Sequence, residues 1–391
     1  MMVHKFSATV VAVLIALLGV GLEAHAQASA PRVLSSNLKY LGNFKLPVVG
    51  GNGFNYGGTA LAFNPARNSL YIVGHTYDQM TAEISIPALG GTATVLQPLR
   101  DSLGGKLSSV GAGEVIIGGN LVYKNRLYVS TFTYYDATGS QTLSHYSRSV
   151  DLATAGVTGP YRIGSMGAGF YSGYMTLIPA EWQSRFGGPA ITGNCCLSII
   201  SRTSYGPAAF TFNPETQAQS AQPLVYYDSA HTTLGAYGAS GAHPVFNGST
   251  RITGIFFPQG TSSVLFFGST GVGNYCYGEA AACGDPAGYS KGEHAYPYRG
   301  YIWAYDANDL AAVRSGTKQP WSVTPYATWE LPAFGDLGPD FTTGGAAYDP
   351  STQRVYLSKK SGDGSPTIMV YEVDNAANVV TPNPPASVQV Q

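Results

Sequence analysis

Charged side chains are scarce in this sequence of 391 residues. Asp, Glu, Lys and Arg together make up 11% of it, against about 25% in a typical globular protein. The 21 Lys and Arg residues are matched by 22 Asp and Glu residues, so no cationic excess exists to neutralise a phosphate backbone. We therefore expect no nucleic-acid partner, and we expect no long solvated helices.

The sequence also lacks several common short catalytic motifs. It contains no HExxH, no P-loop and no GxGxxG, which argues against zincin, NTPase and dinucleotide-binding functions. Glycine (49 residues), tyrosine (27 residues) and hydrophobic residues as a class (44%) are abundant instead. This composition is typical of a turn-rich β protein with a sizeable core.

Only one long hydrophobic run is present, and it lies at the N-terminus. His4 and Lys5 precede an apolar stretch at 8–22, which is followed by the small-residue site Ala24-His25-Ala26. This pattern predicts a signal peptide over residues 1–26. The stretch is shorter than the roughly 20 residues that span a bilayer, so cleavage is favoured over a membrane anchor. We expect a secreted or periplasmic bacterial protein with no membrane span after cleavage.

Four cysteines are present, which suits an oxidising compartment. Cys276 and Cys283 flank a segment of small residues that can close a short loop, so we predict a disulfide between them. Cys195 and Cys196 are neighbours, and either two thiols or a vicinal disulfide is compatible with the sequence. A metal site is less expected, because CxxC spacing is absent and no histidine lies near the pair in sequence.

A unit of three strands recurs five times along the chain. The strongest match joins the first unit, GGTALAFNPARNSLYI, to the last, GGAAYDPSTQRVYL. A fourth strand follows each of the first four units but not the fifth. The first strands of the five units are expected at 57–65, 118–123, 172–179, 253–258 and 344–350.

An additional strand at 39–47 has no unit of its own and can complete the fifth. The sequence therefore predicts an all-β, five-bladed β-propeller over residues 38–375, closed by an N-terminal strand that completes the last blade, with a flexible tail at 376–391. Closure removes the long open sheet edge that an unclosed array would leave. A pair of β-sandwiches is the alternative, but it does not explain why the first and last units match.

The blade pattern resembles the five-bladed propellers of furanosidases and arabinanases and of some sugar-binding lectins. The resemblance extends over nearly all of residues 38–375 and concerns architecture, with no specific family recognised. It implies a carbohydrate ligand or substrate. Those glycosidases place an acidic residue at the start of the first blade's innermost strand, whereas the matching stretch here, Asn-Tyr-Gly-Gly-Thr at 55–59, has none. The fold alone therefore does not imply hydrolysis.

The expected site is the channel-mouth face. In a propeller, the loops that enter the innermost strands and those that join the second and third strands meet there, around the central channel. Tyrosines in these loops are candidates for sugar binding, because their flat rings stack on sugar faces while their hydroxyls form hydrogen bonds. The candidate substrate-binding residues are Tyr56, His75, Tyr134, Tyr171, Tyr174 and Arg202, and the candidate catalytic residues are Glu114, Asp340, His231 and His243.

A glycosidase would use the two acidic residues among these candidates. Glu114 and Asp340 both lie just before innermost strands, and a pair of carboxylates supplies the acid and the nucleophile or base of glycoside hydrolysis. Asp340 has a second interpretation, in which it binds a structural calcium ion together with Asp336.

Two further interpretations use other residues. A polysaccharide lyase would need a base and a cation that neutralises a uronate, and His231, His243, Tyr171 and Arg202 could supply them. A non-catalytic interaction or surface module would need only the aromatic residues. Binding or processing of extracellular polysaccharide is the leading hypothesis.

Overall fold

The computed structural model describes residues 30–111, 113–242, 245–286, 291–338, 342–361 and 364–374. Within these ranges the chain forms five four-stranded antiparallel sheets, one two-stranded hairpin and two short helices. The five sheets are the blades of a β-propeller, so the predicted fold class is confirmed. The predicted signal peptide, the predicted tail, His243 and Asp340 lie outside the described residues.

The chain starts with a strand of the last blade and then completes blades 1 to 3 in order. This first strand is β1 (Leu38–Lys45). Blade 1, from the centre outwards, consists of β2 (Leu61–Asn64), β3 (Ser69–Val73), β4 (Thr81–Ser85) and β5 (Val95–Arg100). Blade 2 consists of β6 (Val115–Tyr123), β7 (Arg126–Thr133), β8 (His145–Ser149) and β9 (Thr158–Tyr161). Blade 3 consists of β10 (Met175–Leu177), β11 (Ala190–Thr192), β12 (Ala209–Phe212) and β13 (Gln222–Val225).

Blade 4 carries an insertion between its second and third strands. It begins with β14 (Arg251–Phe256) and β15 (Ser263–Gly271), continues through the hairpin of β16 (Cys276–Gly278) and β17 (Gly292–His294), and ends with β18 (Tyr298–Asp306) and β19 (Ala327–Glu330). Blade 5 consists of β20 (Ala346–Asp349), β21 (Arg354–Lys359), β22 (Thr367–Val373) and finally β1.

The ring is closed by β1, as the sequence predicts. This strand pairs antiparallel with β22, from Leu38 opposite Val373 to Lys45 opposite Thr367. An ion pair between Lys39 and Asp374 lies at one end of the seam. The third strand of blade 5, β22, therefore has an outer partner, as the third strands of the other four blades do.

Glycines allow the innermost strands to approach each other at the centre. The five strands contact one another in the order β2, β6, β10, β14, β20 and back to β2. Gly345 N donates to Gly58 O at 2.8 Å, which joins blade 5 to blade 1. A Cβ atom at Gly119 would lie 2.2 Å from the carbonyl oxygen of Gly173 in blade 3. The glycines that mark the repeat are thus required by backbone contacts between blades.

The hydrophobic core lies between the blades. Each pair of neighbouring blades buries an apolar cluster, such as the one in which Phe44 and Ile368 of blade 5 pack with Leu70 and Ile72 of blade 1. Each blade is covered by a neighbouring blade on both faces. Many strands therefore bury the side chains of both faces.

Two helices were not predicted from the sequence. The first, α1 (Ala180–Phe186), buries Trp182 and Phe186 and ends at Gly187, whose φ of 77° is left-handed. The second, α2 (Ala307–Arg314), begins at Asp306, whose side chain accepts a hydrogen bond from Asn308 N. Helix α1 lies in the connection between β10 and β11, and α2 lies in the connection between β18 and β19. Among the described residues, neither helix is long and apolar enough to cross a membrane.

Candidate functional site

The structure contains two disulfides. Cys276 and Cys283 are bonded, with their Cα atoms 5.5 Å apart, which confirms the predicted pairing. Cys195 and Cys196 are also bonded to each other, so the structure contains the vicinal disulfide that the sequence left as one of two alternatives.

A cavity of about 200 Å³ lies at the channel mouth, and we call it the mouth cavity. All five blades contribute to it, through the starts of their innermost strands or through the loops between second and third strands. It is lined by Thr59, Thr76, Ile116, Gly118, Phe132, Tyr134, Gly173, Tyr174, Asn194, Cys195, Cys196, Leu197, Arg251, Ile252, Thr253, Thr342, Thr343 and Lys360.

The lining combines neutral hydrogen-bonding groups with apolar surface. Threonine hydroxyls come from three blades, and none of the described residues that line the cavity is Asp or Glu. Asn194 is 3% exposed. Its Oδ1 accepts a hydrogen bond from Cys195 N at 3.0 Å, whereas its Nδ2 has no hydrogen-bond partner in the protein. A buried donor without a partner is unusual in a folded protein.

Two of the predicted substrate-binding residues line the mouth cavity. Tyr134, on the loop after β7, is 40% exposed. Tyr174 is buried, and its hydroxyl donates to Ala208 O at 3.0 Å. Burial raises the pKa of Tyr174 well above its usual value. Tyr134 is therefore accessible at the cavity, whereas Tyr174 is almost completely covered.

Tyr56 and His75 pack against each other on the rim of blade 1. Their rings meet edge to face, with centroids 5.5 Å apart. His75 is buried, and its Nδ1 accepts a hydrogen bond from Tyr77 N at 3.1 Å. Neither side chain lines the mouth cavity, although the neighbouring Thr76 does.

Glu114 lies beside Tyr134 but points elsewhere. Its backbone carbonyl accepts a hydrogen bond from Tyr134 N at 2.9 Å. Its side chain is exposed and is not part of the cavity lining. The second acid of the predicted pair, Asp340, lies outside the described residues.

Tyr171, which the sequence predicts as a substrate-binding residue, lies in the core. It is fully buried, and its hydroxyl donates to Met166 O at 2.8 Å. Its ring meets Phe210 edge to face at 5.7 Å. Burial raises the pKa of Tyr171 to about 12. The ring has no face open to a ligand, so Tyr171 can neither stack on a sugar nor act as a base.

His231 and Arg202 belong to two separate contacts between blades. His231 stacks on Trp321 at 4.0 Å, and its Nδ1 lies 2.7 Å from Asp228 Oδ1. Arg202 reaches the blade 2 loop, where a guanidinium nitrogen lies 3.4 Å from Ala137 O. Neither side chain lines the mouth cavity. The described members of the predicted lyase set are therefore not assembled around it.

Asp336 forms an ion pair with Arg299. Its carboxylate lies 3.4 Å from an Arg299 guanidinium nitrogen, and it accepts a hydrogen bond from Gly338 N at 3.0 Å. Across the part of the chain that the structure describes, no group of three or more His, Cys, Asp or Glu side chains could hold a metal ion. The second predicted calcium ligand, Asp340, lies outside the described residues, so the calcium site stays a prediction.

Sequence reasoning missed a carboxylate near the mouth. Glu293, on β17 of the blade 4 insertion, accepts a hydrogen bond from the Tyr237 hydroxyl at 2.6 Å. Its other oxygen lies 3.7 Å from the guanidinium of Arg251, which lines the mouth cavity. Burial raises the pKa of Tyr237, and so does the hydrogen bond to Glu293. The inserted hairpin thus positions a mouth-cavity cation.

A second cavity, the base cavity, lies at the opposite ends of the innermost strands. It has a volume of about 320 Å³ and is mainly apolar, with all five blades contributing. Asn120 of β6 lines it, and both atoms of its side-chain amide lack a hydrogen-bond partner in the protein. The two cavities share no lining residue.

Comparisons with known proteins place the chain by fold only. No family model matches it, and no curated protein matches it. Among solved structures, it is similar to a thermostable family-43 glycoside hydrolase at 10% identity and a TM-score of 0.43, over 88% of this chain and 99% of that one. It is also similar to a GH43 endo-arabinanase from Bacillus licheniformis at 12% identity and a TM-score of 0.38, over 83% and 95% of the two chains.

A third similar structure is described as a glycoside hydrolase of the GH130 family of mannoside phosphorylases that targets β-1,2 mannosidic linkages in Candida mannan. Its identity is 10% and its TM-score 0.41, over 82% of this chain and 85% of that one. The likeness is one of fold. At such low identity, it transfers no activity to this chain.

Proposed function

We propose that this protein is an exported glycan-binding propeller whose mouth cavity receives part of an extracellular polysaccharide. The observation that carries the proposal is the chemistry of the mouth cavity. Hydroxyl, amide and phenol groups converge there with apolar surface, at the face where the loops of all five blades meet. Sugars present the matching combination of hydroxyl groups and apolar C–H faces. The predicted signal peptide would deliver the protein to the compartment where such polymers occur.

Binding is favoured over hydrolysis. Glycoside hydrolysis needs two carboxyl groups on either side of the scissile bond, roughly 5 to 9.5 Å apart. The described lining of the mouth cavity contains none, and the exposed side chain of Glu114 is not part of it. Polar and aromatic groups without a carboxylate pair suffice for recognition.

The test uses the chain that begins at Gln27. We expect it to bind a polysaccharide on a glycan array and to release neither new reducing ends nor unsaturated products from that polysaccharide. Release of new reducing ends that is abolished by Glu114→Gln would show a hydrolase instead. Binding to no glycan on the array would overturn the proposal.

Two tyrosines provide a matched comparison. Tyr134→Ala should weaken binding by about 1 to 3 kcal/mol, because stacking and burial against the sugar are lost. Tyr77 is 83% exposed and does not line the mouth cavity, so Tyr77→Ala should leave the affinity unchanged. Equal affinities of the two variants would exclude the mouth cavity as the binding site.

A further inference from the structure

The vicinal disulfide lines the mouth cavity. Cys195 and Cys196 are 4% and 3% exposed, and both belong to the lining. Phe132 and Ile252 lie in the same lining and add apolar surface from blades 2 and 4. A disulfide sulfur is polarisable and a weak hydrogen-bond acceptor, so it presents an apolar surface.

This disulfide cannot stabilise the fold in the usual way. A disulfide acts mainly by closing a chain loop and so restricting the unfolded state. Cys195 and Cys196 are one residue apart in sequence, so their bond closes no such loop. The Cys276–Cys283 disulfide, with a separation of 7 residues, does close one. The vicinal pair therefore contributes through the local surface that it presents and not through loop closure.

The backbone around the pair is held in place. Cys196 has a φ of 67°, in the left-handed region, and its amide donates to Ser204 O at 3.3 Å. The amide of Asn194 donates to Phe170 O at 3.0 Å. Together with the hydrogen bond between Cys195 N and Asn194 Oδ1, these contacts fix three consecutive residues. A surface that is rigid before binding loses little entropy when a ligand binds.

An unpaired donor lies at the edge of this surface. Asn194 lines the cavity, and its Nδ2 is buried and has no hydrogen-bond partner in the protein. Buried polar groups are normally hydrogen-bonded. This amide hydrogen-bonds to the backbone through its oxygen, so its nitrogen remains to donate to an acceptor in the cavity.

We propose that the Cys195–Cys196 disulfide is a ligand-binding platform, on which the flat C–H face of a sugar ring packs while Asn194 Nδ2 donates to a sugar oxygen. This inference rests on the proposed function and names the surface of the mouth cavity that recognises the sugar. It assigns the site to saccharides that combine an apolar ring face with a hydroxyl or ring oxygen at its edge.

The second disulfide of the chain provides the control. Binding of arabino-, xylo-, cello- and galacturono-oligosaccharides would be measured calorimetrically for the unsubstituted chain and for two double variants. In Cys195→Ala/Cys196→Ala, the affinity for the oligosaccharide that binds should fall at least about tenfold. In Cys276→Ala/Cys283→Ala it should be unchanged. Circular dichroism would confirm that each variant is folded.

A footprint on the unsubstituted chain provides a readout that needs no variant. Mass spectrometry after reduction and alkylation gives the reduction rate of each disulfide. The bound oligosaccharide should slow reduction of the Cys195–Cys196 bond and leave the Cys276–Cys283 bond unaffected. Equal rates with and without the oligosaccharide would overturn the platform, even if the double variant failed to fold.

Asn194→Asp tests the donor. The substitution keeps an oxygen for Cys195 N and replaces the donating nitrogen with an acceptor, so the affinity should fall at least about tenfold. If Cys195→Ala/Cys196→Ala and Asn194→Asp both bind the oligosaccharide with unchanged affinity, the inference is overturned. The proposed function would still stand. A crystal structure with only water on Asn194 and the sugar elsewhere would do the same. If no oligosaccharide binds the unsubstituted chain, the inference and the proposed function both fail.

Discussion

His145 Nε2, in the third strand of blade 2, lies 3.1 Å from Thr192 Oγ1 in the second strand of blade 3. The other ring nitrogen, Nδ1, lies 2.8 Å from Ser144 Oγ. The imidazole is fully buried between the blades, and burial lowers its pKa from 6.5 to about 3. The native protein therefore holds this side chain neutral over most of the acidic range.

This burial makes stability depend on pH. Below about pH 6.5 the unfolded chain protonates His145 and the native chain does not, so this residue makes stability fall by about 1.4 kcal/mol per pH unit as the pH drops towards 3. His145→Asn should show a shallower loss of unfolding free energy over this range, measured by urea denaturation. Parallel pH profiles for the two proteins would contradict the prediction.

Phe44 should be the most sensitive position of the closing strand. It is fully buried between blades 5 and 1, so Phe44→Ala should lower the free energy of unfolding by about 3 to 5 kcal/mol. Val48 is 99% exposed, and Val48→Ala should have no measurable effect. Deletion of residues 39–47 should abolish cooperative thermal unfolding, because the edge of β22 would lose its partner. A cooperative transition at the parent temperature would contradict this.

The Cys276–Cys283 disulfide should contribute about 2 to 3 kcal/mol to stability by the chain-entropy estimate, because it closes a short loop. Peptide mapping without reduction should recover this link and the Cys195–Cys196 link. Chemical denaturation of Cys276→Ser/Cys283→Ser would measure the contribution. A cross-link between the two pairs would show that the assignment is wrong.

Glu83 is a buried carboxylate that accepts several hydrogen bonds within blade 1. Asn64 Nδ2 and Arg67 Nη1 each donate to it at 2.8 Å, and Gln97 Nε2 donates at 2.6 Å. Glu83→Gln turns an amide towards these donors and should cost about 3 kcal/mol of unfolding free energy. Glu215 pairs with Lys124 at the surface, so Glu215→Gln should cost less than about 1 kcal/mol. Thermal unfolding of the two variants would measure both costs. Equal losses of unfolding free energy would refute the prediction.

Tyr171→Phe separates a core role from a binding role. Loss of the hydrogen bond to Met166 O should lower stability by about 1 kcal/mol. Affinity for any glycan bound at the mouth cavity should be unchanged, because the ring faces the core. Reduced affinity at full stability would restore Tyr171 as a ligand contact.

The repeat made the fold predictable, but it could not locate the binding surface. Gly58 and Gly345 appear as turn residues in sequence, and their contact across blades 5 and 1 follows from the ring that the repeat predicts. Tyr134 and Tyr171 are both loop tyrosines, yet one is exposed and the other is core. The path of each loop decides this, and tertiary packing sets that path.

The site depends even more on three-dimensional contacts. Asn194 has a side-chain amide nitrogen without a partner in the protein, and no local sequence pattern reveals that property. The adjacent cysteines were visible in the sequence, but their position at the channel mouth required the ring. The inserted hairpin that carries Glu293 was visible only as extra length in blade 4.

The seam between β1 and β22 also determines how the molecule responds to mechanical force. These strands are the first and last of the described chain, and Leu38 pairs with Val373 at the end of the seam nearest both chain termini. Tension between the termini would therefore pull at one end of an antiparallel pair and break its hydrogen bonds one after another, rather than loading them all at once. The propeller should open first at this seam under low tension, and the other blades should unfold once β22 has lost its partner.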